Sequence, residues 1–132
     1  GVPHAIVFAR DARELADPDF PALAGILRGD PIFGEAGANV DLVFAQDRHT
    51  IRFRTYERGV EAETLACGTG AVASAVVAAA LDLVEPPVAC ATAGGDILTV
   101  DFVPTGEGAE DVFLTGPAVV SFRGEIGAEL LR

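Results

Sequence analysis

The stretch LACGTGAVASAVVAAALDL, residues 65–83, sets a cysteine ahead of two glycines and then runs apolar for more than a dozen residues. If the apolar run is a helix, the N–H groups of its first turn lack internal partners, and the summed peptide dipoles leave partial positive charge there. Gly68 and Gly70 carry no side chains to block approach, and Thr69 adds a hydroxyl. A carboxylate could settle on those amides. Cys67 lies in the same field, which favours the thiolate and lowers its pKa. One turn would then offer an anion cradle beside an activated sulfur. The same residues also suit plain packing, because small residues often open a buried helix and free cysteine is among the most buried residue types.

A second group of polar residues lies upstream, in TYERGVEAET. Glu57 and Arg58 leave a strand-like segment and enter the loop before Cys67. Adjacent opposite charges suit a zwitterion, with Arg58 forked onto a carboxylate and Glu57 accepting from an ammonium. They equally suit a solvated surface pair. Asn39 follows a glycine-containing loop at the mouth of a strand, where it could orient a substrate carboxylate or serve as a turn residue. His4, in GVPH, reads as a loop histidine or as a base.

These side chains need elements to hold them. Residues 68–83 are apolar nearly all round before Asp82, so a helix there must be enclosed on every side, as one threaded through a curved sheet would be. Its alanines let strands approach closely, and Glu85-Pro86-Pro87 stops it. Asp19 as a candidate N-cap, Pro21 in the first turn and apolar Leu23, Ile26 and Leu27 predict a short helix closed by Gly29 and Pro31. Ala5 to Phe8 reads as a short buried strand. NVDLVFAQ and TIRFRTY alternate and are joined by QDRHT, which predicts an antiparallel hairpin with one wet face. Further strands are expected in PVACATA, ILTVDFV, VFLTG and AVVSFRGEI, with PTGEGAED as a loop. The sum is a single α+β domain over residues 1–132, without repeats or linkers.

Composition narrows the chemistry. Half of the residues are hydrophobic and 22% are charged, a globular balance. The apolar run from Gly70 to Leu81 is too short to cross a bilayer, and no basic segment opens the chain, so a cytoplasmic protein away from membranes is expected. A net charge of −11 repels phosphate backbones and argues against nucleic acid as a partner. A small anionic substrate stays open, given a local cluster of donors. Two cysteines do not make a disulfide framework, although a Cys67–Cys90 bridge is conceivable. His4 and His49 have no Cys or His at metal-ligand spacing. The abrupt start at Gly1, with no initiating methionine, reads as a domain cut from something longer.

TYERGVEAETLACGTGA, with NVDLVF upstream, GVPHAIVF at the start and LTGPAVVSFRGEI at the end, resembles the diaminopimelate epimerase family in order and over essentially the whole chain. The resemblance is to most of the C-terminal half of those enzymes. It implies two pseudo-symmetric halves, each a curved, mostly antiparallel, barrel-like sheet around a central helix, with one cysteine from each half in the cleft between them. It further implies interconversion of LL- and meso-diaminopimelate without pyridoxal phosphate or another cofactor, in a homodimer. By this resemblance Cys67 is one acid–base residue, Gly68 and Thr69 hold the substrate carboxylate, and Asn39, Glu57 and Arg58 hold the distal amino-acid end. His4 would lie near the reacting thiols. The other cysteine belongs to the missing N-terminal half, so this chain alone is expected to be inactive.

Two departures stand out. The family often has Gly-Asn-Pro-His where this chain has Gly1-Val2-Pro3-His4, so Val2 cannot make the asparagine's contact. The loop before Cys67 is also one residue longer than the common form. Cys90 sits in an apolar strand, matches no catalytic position and reads as core. Two other readings are open: a racemase of the same fold acting on proline-like substrates, and a non-catalytic domain that binds a ligand or partner.

Overall fold

The computed structural model describes residues 1–106 and 108–130. In chain order it has β1 (His4–Phe8), α1 (Ala12–Leu15), α2 (Phe20–Arg28), β2 (Asn39–Asp47), β3 (Thr50–Glu57), β4 (Ala62–Thr64), α3 (Gly68–Ala80), β5 (Val88–Ala91), β6 (Ile97–Thr105) and β7 (Gly108–Thr115). The strands form one mixed sheet in the order β1-β2-β3-β5-β6-β7, with β4 paired to β3 off that path. β1 runs parallel to β2 and β3 parallel to β5, while the other pairs are antiparallel. One edge of β3 serves two partners, β5 against Thr50–Arg52 and β4 against Thr55–Glu57. The sheet curls into a half-barrel around α3.

Packing on the α3 side explains the alanines. Ala71, Ala75 and Ala78 are fully buried against Val43, Ile51, Phe53, Val100 and Phe102. With no side chain beyond Cβ, the helix settles close to the strands, and the large residues come from the sheet. Enclosure is one-sided, however. The face bearing Gly70, Ala71, Ser74, Ala75 and Ala78 is buried, whereas Val72, Ala73, Val76 and Val77 are only half-buried. The expected all-round burial fails because the described strands cover one side of the helix. The helix also ends at Ala80, with Leu81 as its C-cap and Asp82 at positive φ.

The β2–β3 hairpin is wet only toward its turn, where Gln46, Asp47 and Arg52 are exposed; the rest of its outer face is covered. Val40 and Leu42 pack with Leu15, Phe20 and Ala24 in a second cluster on the far side of the sheet, under α1 and α2. Asp41 and Val43 are fully buried too. Arg54, on β3, is held there by two bonds to Glu63 at 2.7 Å, by the carbonyls of Leu15 and Asp17, and by the Phe20 ring 4.8 Å away. Arg10 and Glu14 reinforce α1, whose cap Asp11 accepts from the N–H groups of Arg13 and Glu14.

Other departures are local. α1 and β4 are elements that the alternation of the sequence does not signal. β7 begins at Gly108, inside the expected loop. AVVSFRGEI forms no strand: residues 116–127 have no regular structure and are exposed. A strand needs a partner for its backbone groups, and among the described residues none pairs with this segment. Pro117 at its start also lacks an N–H.

Candidate active site

The mouth of α3 is built by close approach. Cys67 is the N-cap, in extended conformation, and its Sγ accepts the Gly70 N–H at 3.3 Å. A Cβ at Gly70 would lie 2.6 Å from Asp41 Oδ1 and 3.0 Å from Thr55 Oγ1. Only glycine lets the helix end sit flush on β2 and β3. Cys67 is buried, with 8% of the residue exposed. The N–H groups of Gly68 and Thr69 belong to the first turn and have no intrahelical acceptor. Thr69 itself is exposed, and its Oγ1 lies 3.5 Å from Cys67 Sγ.

His4 and Asp41 join this mouth. His4 Nδ1 is 2.6 Å from Asp41 Oδ2, and Nε2 is 3.0 Å from Thr69 Oγ1. Thr55 Oγ1 donates to the other carboxylate oxygen of Asp41. Glu57 and Arg58 are half-buried and are not a solvated pair. Glu57 accepts from Thr64 Oγ1 at 2.6 Å, while Arg58 Nη1 donates to the carbonyls of Ala36 and Gly37. Buried Asn39 accepts the Arg58 N–H through Oδ1 at 3.0 Å, which ties the start of β2 to the end of β3. The longer loop folds into a turn in which Gly59 and Glu61 both have positive φ. Gly59 donates to Glu61 Oε1 and Glu61 N–H to Glu57 O, so the turn leaves Glu57 at the end of β3. Val2 is exposed.

Electrostatics reverse one expectation. Burial pushes the Cys67 thiol above its ordinary range; the Thr69 hydroxyl and the Gly70 N–H pull it down, and the Glu57 and Asp41 carboxylates push it up again. The helix-end donors do act on the sulfur, but desolvation outweighs them. The balance shifts the group toward the thiol, the reverse of the direction that the helix field alone suggests. Cys90 is fully buried in the core and is pushed up to about 12 by burial. Both cysteines are free. Among the described residues no three His, Cys, Asp or Glu side chains cluster as a metal site, and no helix is long and apolar enough to cross a membrane.

Sequence reasoning passed over Asp41 and Thr55. The signal was present: Asp41 has the same strand parity as apolar Val43, so both point to one buried face. A carboxylate at such a position requires polar partners.

A curled sheet half-wrapped around a small-residue helix, with a thiol and bare amides at the mouth of that helix, defines a class of half-barrel site. Comparison with known proteins agrees and goes further. The chain matches the family described as "Diaminopimelate epimerase" over residues 1–121, and it belongs to that family. It is 42% identical over 132 residues to the diaminopimelate epimerase of Aquifex aeolicus (strain VF5), covering 99% of this chain and 45% of that protein. It is 40% identical over 129 residues to the diaminopimelate epimerase of Methanocella arvoryzae, covering 98% of this chain and 42% of that protein. The chain thus spans less than half the length of these curated relatives. A solved structure, the phenazine biosynthesis protein of the PhzF family from Bacillus anthracis, superposes with a TM-score of 0.54 over 84% of this chain and 33% of that one. At 19% identity it shows the fold alone.

Proposed function

We propose that this chain supplies one half of the site of a cofactor-independent diaminopimelate epimerase. Inverting an α-carbon requires proton removal on one face and delivery on the other, so two acid–base groups must flank the carbon. Cys67 is one of them. Burial favours its thiol form, which suits a proton donor, and the second group, a cysteine, comes from the complementary N-terminal half. As the α-proton leaves, negative charge grows on the substrate carboxylate, and the N–H groups of Gly68 and Thr69 stabilise it as an oxyanion hole. The helix end needs no reorganisation to do so.

The distal end of the substrate falls to Asn39, Glu57 and Arg58. Glu57 accepts from the ammonium and Arg58 donates to the carboxylate. Asn39 has committed Oδ1 to the Arg58 N–H, so its NH2 end is what it offers a ligand. The complete enzyme is a cytoplasmic homodimer serving lysine and peptidoglycan precursor synthesis, and it takes neither pyridoxal phosphate nor metal.

The observation that carries this reading is the placement of Cys67 as N-cap of α3, beside two first-turn amides with no intrahelical acceptor. The test assembles this chain with the N-terminal half of a relative and follows LL- to meso-diaminopimelate conversion. Cys67→Ala should lower the rate at least about 100-fold, the scale of general acid–base catalysis. Proline should be neither racemised nor an effective competitor. Full activity in Cys67→Ala, or preference for proline, rejects the proposal.

A further inference from the structure

β4 is three residues long and pairs with the end of β3: Thr55 with Thr64, Tyr56 with Glu63 and Glu57 with Ala62. Residues opposite one another in such a pair share a face of the sheet. Thr64 therefore stands with Thr55 and Glu57 on the face that meets the mouth of α3, and Glu63 stands with Arg54 on the face under α1 and α2. Glu63 takes the Arg54 guanidinium in a two-point fork, 2.7 Å at each oxygen, and Arg54 is bonded in turn to the carbonyls of Leu15 and Asp17. The fork pins β4 in register from behind, because a slip by one residue would exchange the faces and carry Thr64 away from Glu57. On the site face the Thr64 hydroxyl donates to Glu57 Oε1 at 2.6 Å. Glu57 is the last residue of β3, and among the described residues no Lys or Arg pairs with it. Nor does any other described group bond to its carboxylate, so Oε2 is open.

We propose that Thr64 is a positioning residue: it turns the Glu57 carboxylate so that Oε2 faces the substrate, and it thereby sets the preference for a substrate with a second ammonium group. β4 is the element that carries it. The inference deepens the epimerase reading and rests on it for the identity of the ligand. Valine is β-branched as well and suits a strand equally, so what the threonine adds at this position is the direction of one hydrogen bond. Its single hydrogen goes to Glu57, and Thr64 acts through that carboxylate. A carboxylate held by one oxygen keeps the other in place, so an arriving ammonium meets a preformed acceptor and less has to be ordered on binding.

Two measurements test this. In the 132-residue chain without substrate, NMR relaxation of the Glu57 side-chain methylenes should show an ordered group. Thr64→Val should make it mobile while the Tyr56–Glu63 cross-strand contacts persist, and Thr64→Ser should restore the order. A mobile Glu57 in the unaltered chain overturns the proposal, and that result decides even if Thr64→Val fails to fold. Unchanged order in a folded Thr64→Val overturns it too. The second measurement uses the chain assembled with the N-terminal half of a relative. Thr64→Val should raise the KM for diaminopimelate about 10-fold and change kcat less than about 2-fold, since the ammonium contact is the same in the ground and transition states. Competitive inhibition by 2-aminopimelate, the same seven-carbon diacid without the second amino group, should weaken less than about 2-fold, because the lost contact is one it never makes. Thr64→Ser should match the unaltered chain. Equal losses for both compounds, or a fall in kcat alone, reduce Thr64 to a structural residue and overturn the proposal. Failure of the unaltered assembly to convert diaminopimelate rejects the epimerase reading instead, while the relaxation measurement still decides the positioning of Glu57.

Discussion

At the residue scale the site depends on how close two polar layers come. Gly70 is the contact point, and Gly70→Ala would drive a methyl into Asp41 and Thr55. Urea denaturation should show a loss of about 1–3 kcal/mol, the usual effect of overpacking a tight interior. A neutral effect would mean that the helix end is not pressed on β2. Cys90 gives a pH signature. Its folded pKa is raised to about 12 from an ordinary 9.0. The folded state therefore holds the proton more tightly, and the stability this provides is complete below pH 9 and lost as pH rises toward 12. Cys90→Val should flatten the decline of stability across that window in denaturation series. Cys67 and its glycines were legible in the sequence because their types and order signal a helix mouth. The raised Cys67 pKa was not, since it follows from burial and from carboxylates brought near by folding: Asp41 lies 26 positions away in sequence.

At the element scale α3 shows both what a pattern reveals and what it hides. An all-apolar, alanine-rich run announced a core helix, and its start at Gly68 followed from the glycine-threonine-glycine entrance. How much of it is covered depends on how many strands curl over it, which no local pattern encodes. Ser74 illustrates the cost of that environment. Its Oγ is buried with no hydrogen-bond partner, and such a group destabilises by about 1–3 kcal/mol. Ser74→Ala should raise the Tm, with a gain of roughly 1 kcal/mol, since alanine also has the better helix propensity. A drop in Tm would show that the hydroxyl is bonded after all. The alternating strands were legible wherever a partner exists, as in β2, β3, β5 and β6. AVVSFRGEI alternates just as well but has no described partner strand. α1 and β4, at four and three residues, are too short for periodicity to mark; a cap at Asp11 and the pairing with β3 define them.

At the scale of the whole molecule the sheet is open on one side. Among the described residues β7 is the terminal strand, with Val112, Phe113 and Leu114 exposed, and the following segment exposes Val119, Val120, Phe122 and Ile126. An unpaired edge with apolar side chains favours association with another chain. A net charge of −11 opposes it. Salt decides between them, because charge repulsion is screened beyond about 8 Å at physiological ionic strength while apolar contact is not. Sedimentation of the isolated chain should show monomer at low salt and self-association as salt rises, and Phe113→Lys should suppress it. Monomer at all salt concentrations would mean that the edge is blunted in some other way. The proposed function makes the same openness a half-site, with the second acid–base group supplied from outside this chain. The most direct measurement is deuterium wash-in at the α-carbon of LL-diaminopimelate, followed by NMR, for this chain alone and with a complementary half that carries a second cysteine. No exchange by the chain alone and exchange on mixing, lost again in Cys67→Ala, is the expected result. Wash-in by the 132 residues unaided would contradict the half-site at its root.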